Sequence, residues 1–360
     1  MKPGKPELLP AGRRLVSWLA AAPGPGGLPR RLLWAYRWKG YWFDRNWRFQ
    51  ELLHPVTPFE GPQGEKLIFI LGYWRSGTTF LHELLASGPG MASPQTWQCM
   101  NPSAFRIAQP PLAAGGRARP MDAIIVHATS AQEDEFALLA RGAPSVYRAW
   151  LDPRRWQEVL PALAQETWLA LPQDEWFSDW RRFLGWCTPA DAAALVVKSP
   201  NHVFRLKAIH RAWPAARFAW TLRDPADTWF SNRKMWRAMT ALYGGSDWRA
   251  ADLDRLLFQA FVEYAAALRW AAASLPRERL AFVDFDRLGA AAPETLAALT
   301  GRFGLGGWQS WLPRLQARLD EAARHSPERY AADPPLPDYA RPAIEEIREL
   351  HRGLLEERAA

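Results

Sequence analysis

Residues 67–85 read LIFILGYWRSGTTFLHELL. Leu67 to Leu71 form an apolar run without polar alternation, the pattern of a strand buried on both faces. Gly72 and Gly77 then bracket a turn, and Phe80, Leu81, Leu84 and Leu85 recur at helical spacing. A glycine loop between strand and helix lets the backbone wrap an anion. The N–H groups of Gly77, Thr78 and Thr79 would point at that anion from the favourable end of the helix dipole. The spacing is GxxxxGTT, a P-loop-like pattern in which Thr78 stands where nucleoside triphosphatases carry lysine. Without that lysine, chemistry at a γ-phosphate is disfavoured. Arg75, inside the loop, instead offers a planar guanidinium to a non-bridging or leaving oxygen. The bland alternative is a glycine turn that binds nothing.

Three further apolar runs, Leu195 to Val197, Arg217 to Leu222 and Leu280 to Val283, also read as buried parallel strands, most of them followed by helical patterns. Strands alternating with helices predict an α/β fold: a P-loop-like three-layer domain with a central parallel sheet flanked by helices. About 120 residues rich in Trp and Pro separate the first two strands, too many for a simple crossover. This segment is expected to form helices covering an acceptor site, because insertions at the carboxyl ends of such strands are where substrates are read. The expected division is an aromatic helical extension over 1–60, the α/β domain over 61–310 with its insertion at about 90–190, and a helical tail over 311–360.

The chain has 360 residues, with 45 Lys plus Arg against 37 Asp plus Glu, so its net charge of +8 favours anionic partners. Cys99 and Cys187 are far apart with no CxxC spacing, which suggests neither a disulfide framework nor a structural zinc site and fits a reducing compartment. Arg13 and Arg14 before Leu15 to Ala22 superficially resemble an export signal, but the apolar run is short and breaks at Pro23-Gly24-Pro25. A soluble, cytoplasmic protein is the expectation. In residues 28–60 the mixture of Trp, Tyr, Phe and Arg reads as an amphipathic element packing on the main domain. Alternatively, Arg30, Arg31, Arg37 and Lys39 make a basic, aromatic face that contacts anionic lipid.

A second stretch, FAWTLRDPADTWFSNRKMW over 218–236, puts Arg223 at a strand tip and Asp224 and Pro225 at the start of a helix. Ser231 falls two turns along, on the side of Asp224 and Thr228, so an arginine and a serine can clamp one phosphate from two directions. Alone this is an ordinary strand-to-helix junction. Paired with the first loop it carries more. The loop, with a basic residue, Ser, Gly, Thr and Thr in order, resembles the 5′-phosphosulfate-binding segment of PAPS-dependent sulfotransferases (PAPS, 3′-phosphoadenosine 5′-phosphosulfate). Residues 223–231 resemble the family's 3′-phosphate motif, an Arg, an Asp and a Pro with a Ser eight residues after the Arg. The resemblance runs from about Lys66 to Leu305. It implies transfer of a sulfuryl group from PAPS to a hydroxyl or amine of an acceptor that no motif identifies, whether small molecule, glycan or lipid. Tyr73, Trp74, Arg75, Ser76, Gly77, Thr78, Thr79, Arg223 and Ser231 are the implied nucleotide-binding positions. Arginine at position 75, rather than lysine, looks closer to the Golgi, tyrosylprotein and bacterial branches than to the cytosolic one.

Sulfuryl transfer shifts charge onto the bridging oxygen of the leaving group, so it needs cations there, an in-line acceptor and a base, and this scheme requires no metal. Arg75 is the first candidate for stabilising the transferring group. In VVKSPNHVFRLKAI, residues 196–209, Lys198 ends a strand before Ser199 and Pro200 open a helix, and the resemblance implies a lysine near the sulfuryl bridge. His202, in that helix's first turn, would be held neutral by the dipole and could accept a proton. The cytosolic branch's base position, two residues after the lysine, is Pro200 here. Glu133, Asp134 and Glu135 open another helix in ATSAQEDEFALLARG, residues 128–142, where acids commonly serve only the dipole. Relatives with arginine in the loop often take a glutamate base from this insertion, which makes Glu133 the preferred base and Glu135 and His202 the reserves. The tail HSPERY, residues 325–330, resembles the family's nucleotide-closing region but lacks the cytosolic glycine and lysine signature.

Two rival readings stand beside this one. A nucleotide kinase or hydrolase would need a lysine after Gly77 and an acidic Mg²⁺ ligand at a strand end. A non-enzymatic nucleic-acid or membrane binder would draw on the 21 Trp residues and the positive charge, but the basic residues are dispersed, which argues against nucleic acid. The sequence is silent on oligomeric state.

Overall fold

The computed structural model describes residues 8–21, 30–56, 61–109, 115–119, 125–171, 173–244, 247–323 and 335–359. The segment 325–330 lies outside them. The chain separates into two compact units, one made of residues 61–93, 189–232 and 257–360, the other of residues 1–60, 94–188 and 233–256.

The first unit holds a five-stranded sheet. Its strands are β1 (Leu67–Leu71), β2 (Met91–Ala92), β5 (Ala194–Lys198), β6 (Arg217–Leu222) and β7 (Leu280–Asp284); β3 (Arg117–Ala118) and β4 (Ile125–Val126) lie in the other unit. The sheet order is β2-β5-β1-β6-β7, and all its pairings are parallel. All four strands read from the sequence are present, and β5 extends one residue beyond that reading at each end. The sequence reading missed the two-residue edge strand β2, which is too short to leave a hydrophobic period.

Both faces of the sheet are covered, which explains the unalternated apolar runs. On one face Ile68, Ile70, Val196, Ala219 and Val283 pack with Leu81, Leu84 and Leu85 of the helix Thr78–Ala86, with Leu296 and Leu299, and with Trp311 and Leu315. On the other, Phe69 meets Phe218 and Trp213, and Trp220 meets Phe282 and Tyr264. Strand order places the functional end. The chain leaves β1 toward β2 on one side and leaves β6 toward β7 on the other, so the neighbours β1 and β6 flank a topological switch point. In open α/β sheets a crevice for ligands forms at the carboxyl ends of such a pair. The glycine loop follows β1, and Arg223 follows β6.

The second unit is helical apart from the antiparallel pair β3–β4, whereas the sequence suggested helices alone for the insertion. Its helix Arg30–Leu53 buries Tyr36, Gly40, Phe43, Trp47 and Gln50, one face at three- and four-residue spacing. Gln50 satisfies both ends of its buried amide, donating to the Pro102 carbonyl (3.1 Å) and accepting from the Arg106 N–H (2.7 Å). Trp47 packs edge-on to Trp186, and Trp176 stacks on Trp180. Trp150, Trp156, Trp168, Trp176, Trp180 and Trp186 are all buried. Six of the insertion's seven tryptophans, all but the partly buried Trp97, therefore fill this unit's own core, and their number carries no information about an acceptor.

Candidate functional site

The loop between β1 and the helix Thr78–Ala86 is built on unusual backbone. Gly77 has φ 91°, and a Cβ there would lie 2.2 Å from the Phe285 ring. At Gly72 a Cβ would lie 2.3 Å from Thr221 Oγ1, on β6. Both glycines are thus required by close approach as well as by conformation. Arg75 adopts φ 67° and is the one non-glycine among the described residues with positive φ. Such a geometry costs of order 1 kcal/mol or more and persists only where the surroundings fix it.

Those surroundings are explicit. Ser76 Oγ donates to the Tyr73 carbonyl (2.7 Å) and lies 2.8 Å from Thr221 Oγ1, which in turn donates to the Leu71 carbonyl (3.3 Å). Asn232 Nδ2 donates to the Trp74 carbonyl (2.8 Å), and an Arg223 guanidinium N–H donates to the Arg75 carbonyl (3.0 Å). Arg75 Nε in turn donates to Ser231 Oγ (2.9 Å). The two stretches singled out in the sequence, some 150 residues apart, are therefore directly bonded to one another. Lys198, at the tip of β5, donates to Thr79 Oγ1 (3.1 Å) and is almost fully buried. Gly77 caps the helix Thr78–Ala86 and, having no side chain, makes no side-chain cap to its first N–H groups.

Not every implied position turns a side chain to this corner. Tyr73 stacks on Phe261 (4.1 Å) and donates to the Leu257 carbonyl (3.0 Å), with burial pushing its phenol well above the usual range. Trp74 packs on Phe204. Both side chains belong to the core, and only their backbone borders the loop. His202 is wholly buried, edge-on to Phe69, in the 3₁₀ helix Pro200–Arg205, whose N-cap is Ser199.

In the other unit Glu133 accepts a hydrogen bond from the Tyr147 hydroxyl (2.8 Å) and is partly exposed. Glu135 and Asp134 are fully buried, Asp134 accepting from Trp180 Nε1 (2.5 Å).

Two contributors, Phe285 and Arg348, escaped the sequence reading. Phe285, the first residue after β7, lies against Gly77 and carries the Arg223 guanidinium over its ring at 4.7 Å. Arg348 and His351 come from the helix Arg341–Ala359. Arg348 Nε donates to Asp224 Oδ2 (2.7 Å), while Asp224 Oδ1 accepts the Ala226 and Asp227 N–H groups at the start of the helix Pro225–Tyr243. Burial works against ionisation of Asp224, but the Arg348 hydrogen bond, aided by those N–H groups, outweighs it and holds the carboxyl below its ordinary value. His351, bonded to the Tyr264 hydroxyl (3.0 Å), is pushed down to about 4 by burial. His82 falls to about 3, mainly through burial and then through the charge of Lys198; its Nε2 lies 2.7 Å from Ser93 Oγ. No spacing rule links a residue of one terminal helix to a strand tip more than 100 positions earlier.

Comparison with known proteins agrees with this reading. The omega-hydroxy-beta-dihydromenaquinone-9 sulfotransferase Stf3 of Mycobacterium bovis is 27% identical over 267 residues, covering 73% of this chain and 69% of that protein. Among solved structures, sulfotransferase STF9 from Mycobacterium avium superposes with a TM-score of 0.63 at 16% identity, covering 98% of both chains. Sulfotransferase STF1 from Mycobacterium tuberculosis gives 0.59 at 18% identity, covering 94% of this chain and 90% of that one. These structural likenesses bear on the fold. The profile of the sulfotransferase family matches residues 68–310, from within β1 to beyond β7. On that match, spanning well over half of its length, this chain belongs to the sulfotransferase family.

Proposed function

We propose that the protein transfers a sulfuryl group from PAPS to a hydroxyl group on an apolar, lipid-like acceptor. One observation carries the donor half: Arg75, Ser231, Arg223, Lys198 and Thr79 converge through direct hydrogen bonds at the switch point of the sheet. A donor with anions at both ends of its adenosine needs two anchors, and the corner supplies cations and hydroxyls from both. Gly72 and Gly77 let the loop pack directly against Thr221 and Phe285, which holds its backbone in the turn that this use requires.

Bound there, PAPS would supply the activated sulfuryl group. Gly77, Thr78 and Thr79 would hold its 5′ end through backbone N–H groups and Arg223 with Ser231 its 3′-phosphate. Arg75 and Lys198 would neutralise charge developing on the bridging oxygen as the sulfur–oxygen bond breaks, leaving 3′-phosphoadenosine 5′-phosphate with that electron pair. Glu133 is the proposed base for the acceptor's hydroxyl proton. Of the three candidates it alone retains exposure, and the Tyr147 hydroxyl orients its carboxylate. Glu135 and His202 are closed off by burial. The acceptor half rests on the substrate in the name of the Mycobacterium bovis relative, a lipid carrying a terminal hydroxyl.

Calorimetry with 3′-phosphoadenosine 5′-phosphate, ATP and single-stranded DNA tests the donor, with tight binding of the bisphosphate alone expected. Glu133→Gln should lower turnover by about 10²-fold or more and leave bisphosphate affinity unchanged; near-normal turnover removes Glu133 from the mechanism.

A further inference from the structure

The outward face of the helix Arg30–Leu53 carries most of the exposed large hydrophobic residues among those described. Its inward face is set by Tyr36, Gly40, Phe43, Trp47 and Gln50. On an amphipathic helix of a soluble domain the opposite side should be polar. Here Trp34, Trp38, Tyr41, Phe49 and Leu52 occupy it, and they are 68%, 68%, 54%, 52% and 79% exposed. At 3.6 residues per turn these five fall in one stripe diametrically opposite the buried one. Eleven large hydrophobic residues among those described are exposed, and seven of them lie on this helix. A scatter of single exposed apolar residues needs no explanation, but five large ones on one side of one helix do.

The charges beside the stripe narrow the partner. The helix carries six cationic residues, Arg30, Arg31, Arg37, Lys39, Arg45 and Arg48, against two carboxylates, Asp44 and Glu51. Both carboxylates are engaged within the unit, Asp44 by Arg13 and Arg141 and Glu51 by Arg182. Arg37 lies over the Trp34 ring and Arg45 over Trp42, so cation and aromatic surface are interleaved on the outside. Trp and Tyr favour the headgroup level of a bilayer, where ring and N–H or O–H are both accommodated, while long basic side chains reach anionic phosphates. No helix among the described residues is long and apolar enough to cross a membrane. A second copy of this chain is a poor occupant, because a two-fold contact through this face would set arginine against arginine.

We propose that the face of helix Arg30–Leu53 bearing Trp34, Trp38, Tyr41, Phe49 and Leu52 docks the protein on the surface of an anionic lipid bilayer, the helix lying in the headgroup plane. The docking stands apart from the proposed acceptor: its loss would leave sulfuryl transfer to a water-soluble alcohol unchanged.

The test is flotation of the full chain with vesicles of phosphatidylcholine alone and of phosphatidylcholine mixed with phosphatidylglycerol. Binding is expected to the mixed vesicles, to weaken as salt is raised, and to fall about tenfold or more in a Trp34→Ser, Trp38→Ser, Phe49→Ser variant. Because these side chains are exposed, that variant should keep wild-type affinity for 3′-phosphoadenosine 5′-phosphate, which checks its folding. A second variant, Arg37→Gln with Arg45→Gln, should lose the preference for phosphatidylglycerol while retaining its fold. The proposal is overturned if the wild type stays with the unbound fraction, if the serine variant floats as well as the wild type, or if sedimentation shows a dimer that the serine substitutions dissolve.

Discussion

Gly77→Ala is the sharpest perturbation of the loop after β1, since geometry gives its size before any assay. The position has φ 91°, where a residue with a Cβ costs about 1–2 kcal/mol. The added carbon would also lie 2.2 Å from Phe285 Cδ2 and 2.6 Å from Cε2, so the ring must move. Overpacking of this kind costs about 1–3 kcal/mol. Together these predict a loss of about 2–5 kcal/mol, read by urea unfolding of the variant beside the wild type. Because Phe285 also carries the Arg223 guanidinium at 4.7 Å, displacing the ring should weaken binding of 3′-phosphoadenosine 5′-phosphate in calorimetry. A double-mutant cycle with Phe285→Ala separates the two terms. The steric part should disappear without the ring while the backbone part remains, giving a coupling of about 1–3 kcal/mol. If Gly77→Ala falls within about 0.5 kcal/mol of wild type, or if the cycle shows no coupling, the account of the loop given above is wrong.

Replacing Lys198 by Met keeps its length and removes its charge; we expect turnover to fall by about 10²–10³-fold, measured by release of 3′-phosphoadenosine 5′-phosphate at saturating donor. An undiminished rate would exclude Lys198 from charge stabilisation. Stability should fall on acidification below the ordinary histidine value of 6.5, because unfolding frees His351 and His82, held down to about 4 and about 3, to take up protons. Their contribution is intact above 6.5 and declines by about 1.4 kcal/mol per pH unit for each group until its folded value is reached. His351→Gln should flatten that decline between pH 6.5 and 4 in urea unfolding, and an unchanged slope would contradict the assignment.

The sheet was legible because fully covered strands leave unmistakable apolar runs, as at Leu67–Leu71 and Arg217–Leu222. The glycine loop was legible because a backbone with φ 151° and 91° packed against Thr221 and Phe285 admits only glycine at positions 72 and 77. Other features were closed to sequence reading for physical reasons. A buried stripe such as Tyr36, Gly40, Phe43 and Trp47 says that a helix has a partner, never which one, so the grouping of residues 1–60 with 94–188 was not visible. A Trp-rich insertion is equally compatible with an apolar or sugar-like acceptor and with a core, and composition cannot separate the two; here six of the seven rings are buried. Phe285 and Arg348 act through tertiary contact alone. Their neighbours in sequence, Asp284 capping its own helix and Glu345 pairing with Arg348, look like ordinary helix chemistry.

The bond from Arg348 to Asp224 sets an order on assembly. Every strand of the sheet, the glycine loop and Ser231 have been synthesised before residue 341 emerges, but the carboxylate that opens the helix carrying Ser231 has by then met only the N–H groups of its own turn. The helix that carries Ser231 is thus tied at its first turn by a side chain made after every strand, so a nascent chain can hold a finished sheet before that tie exists.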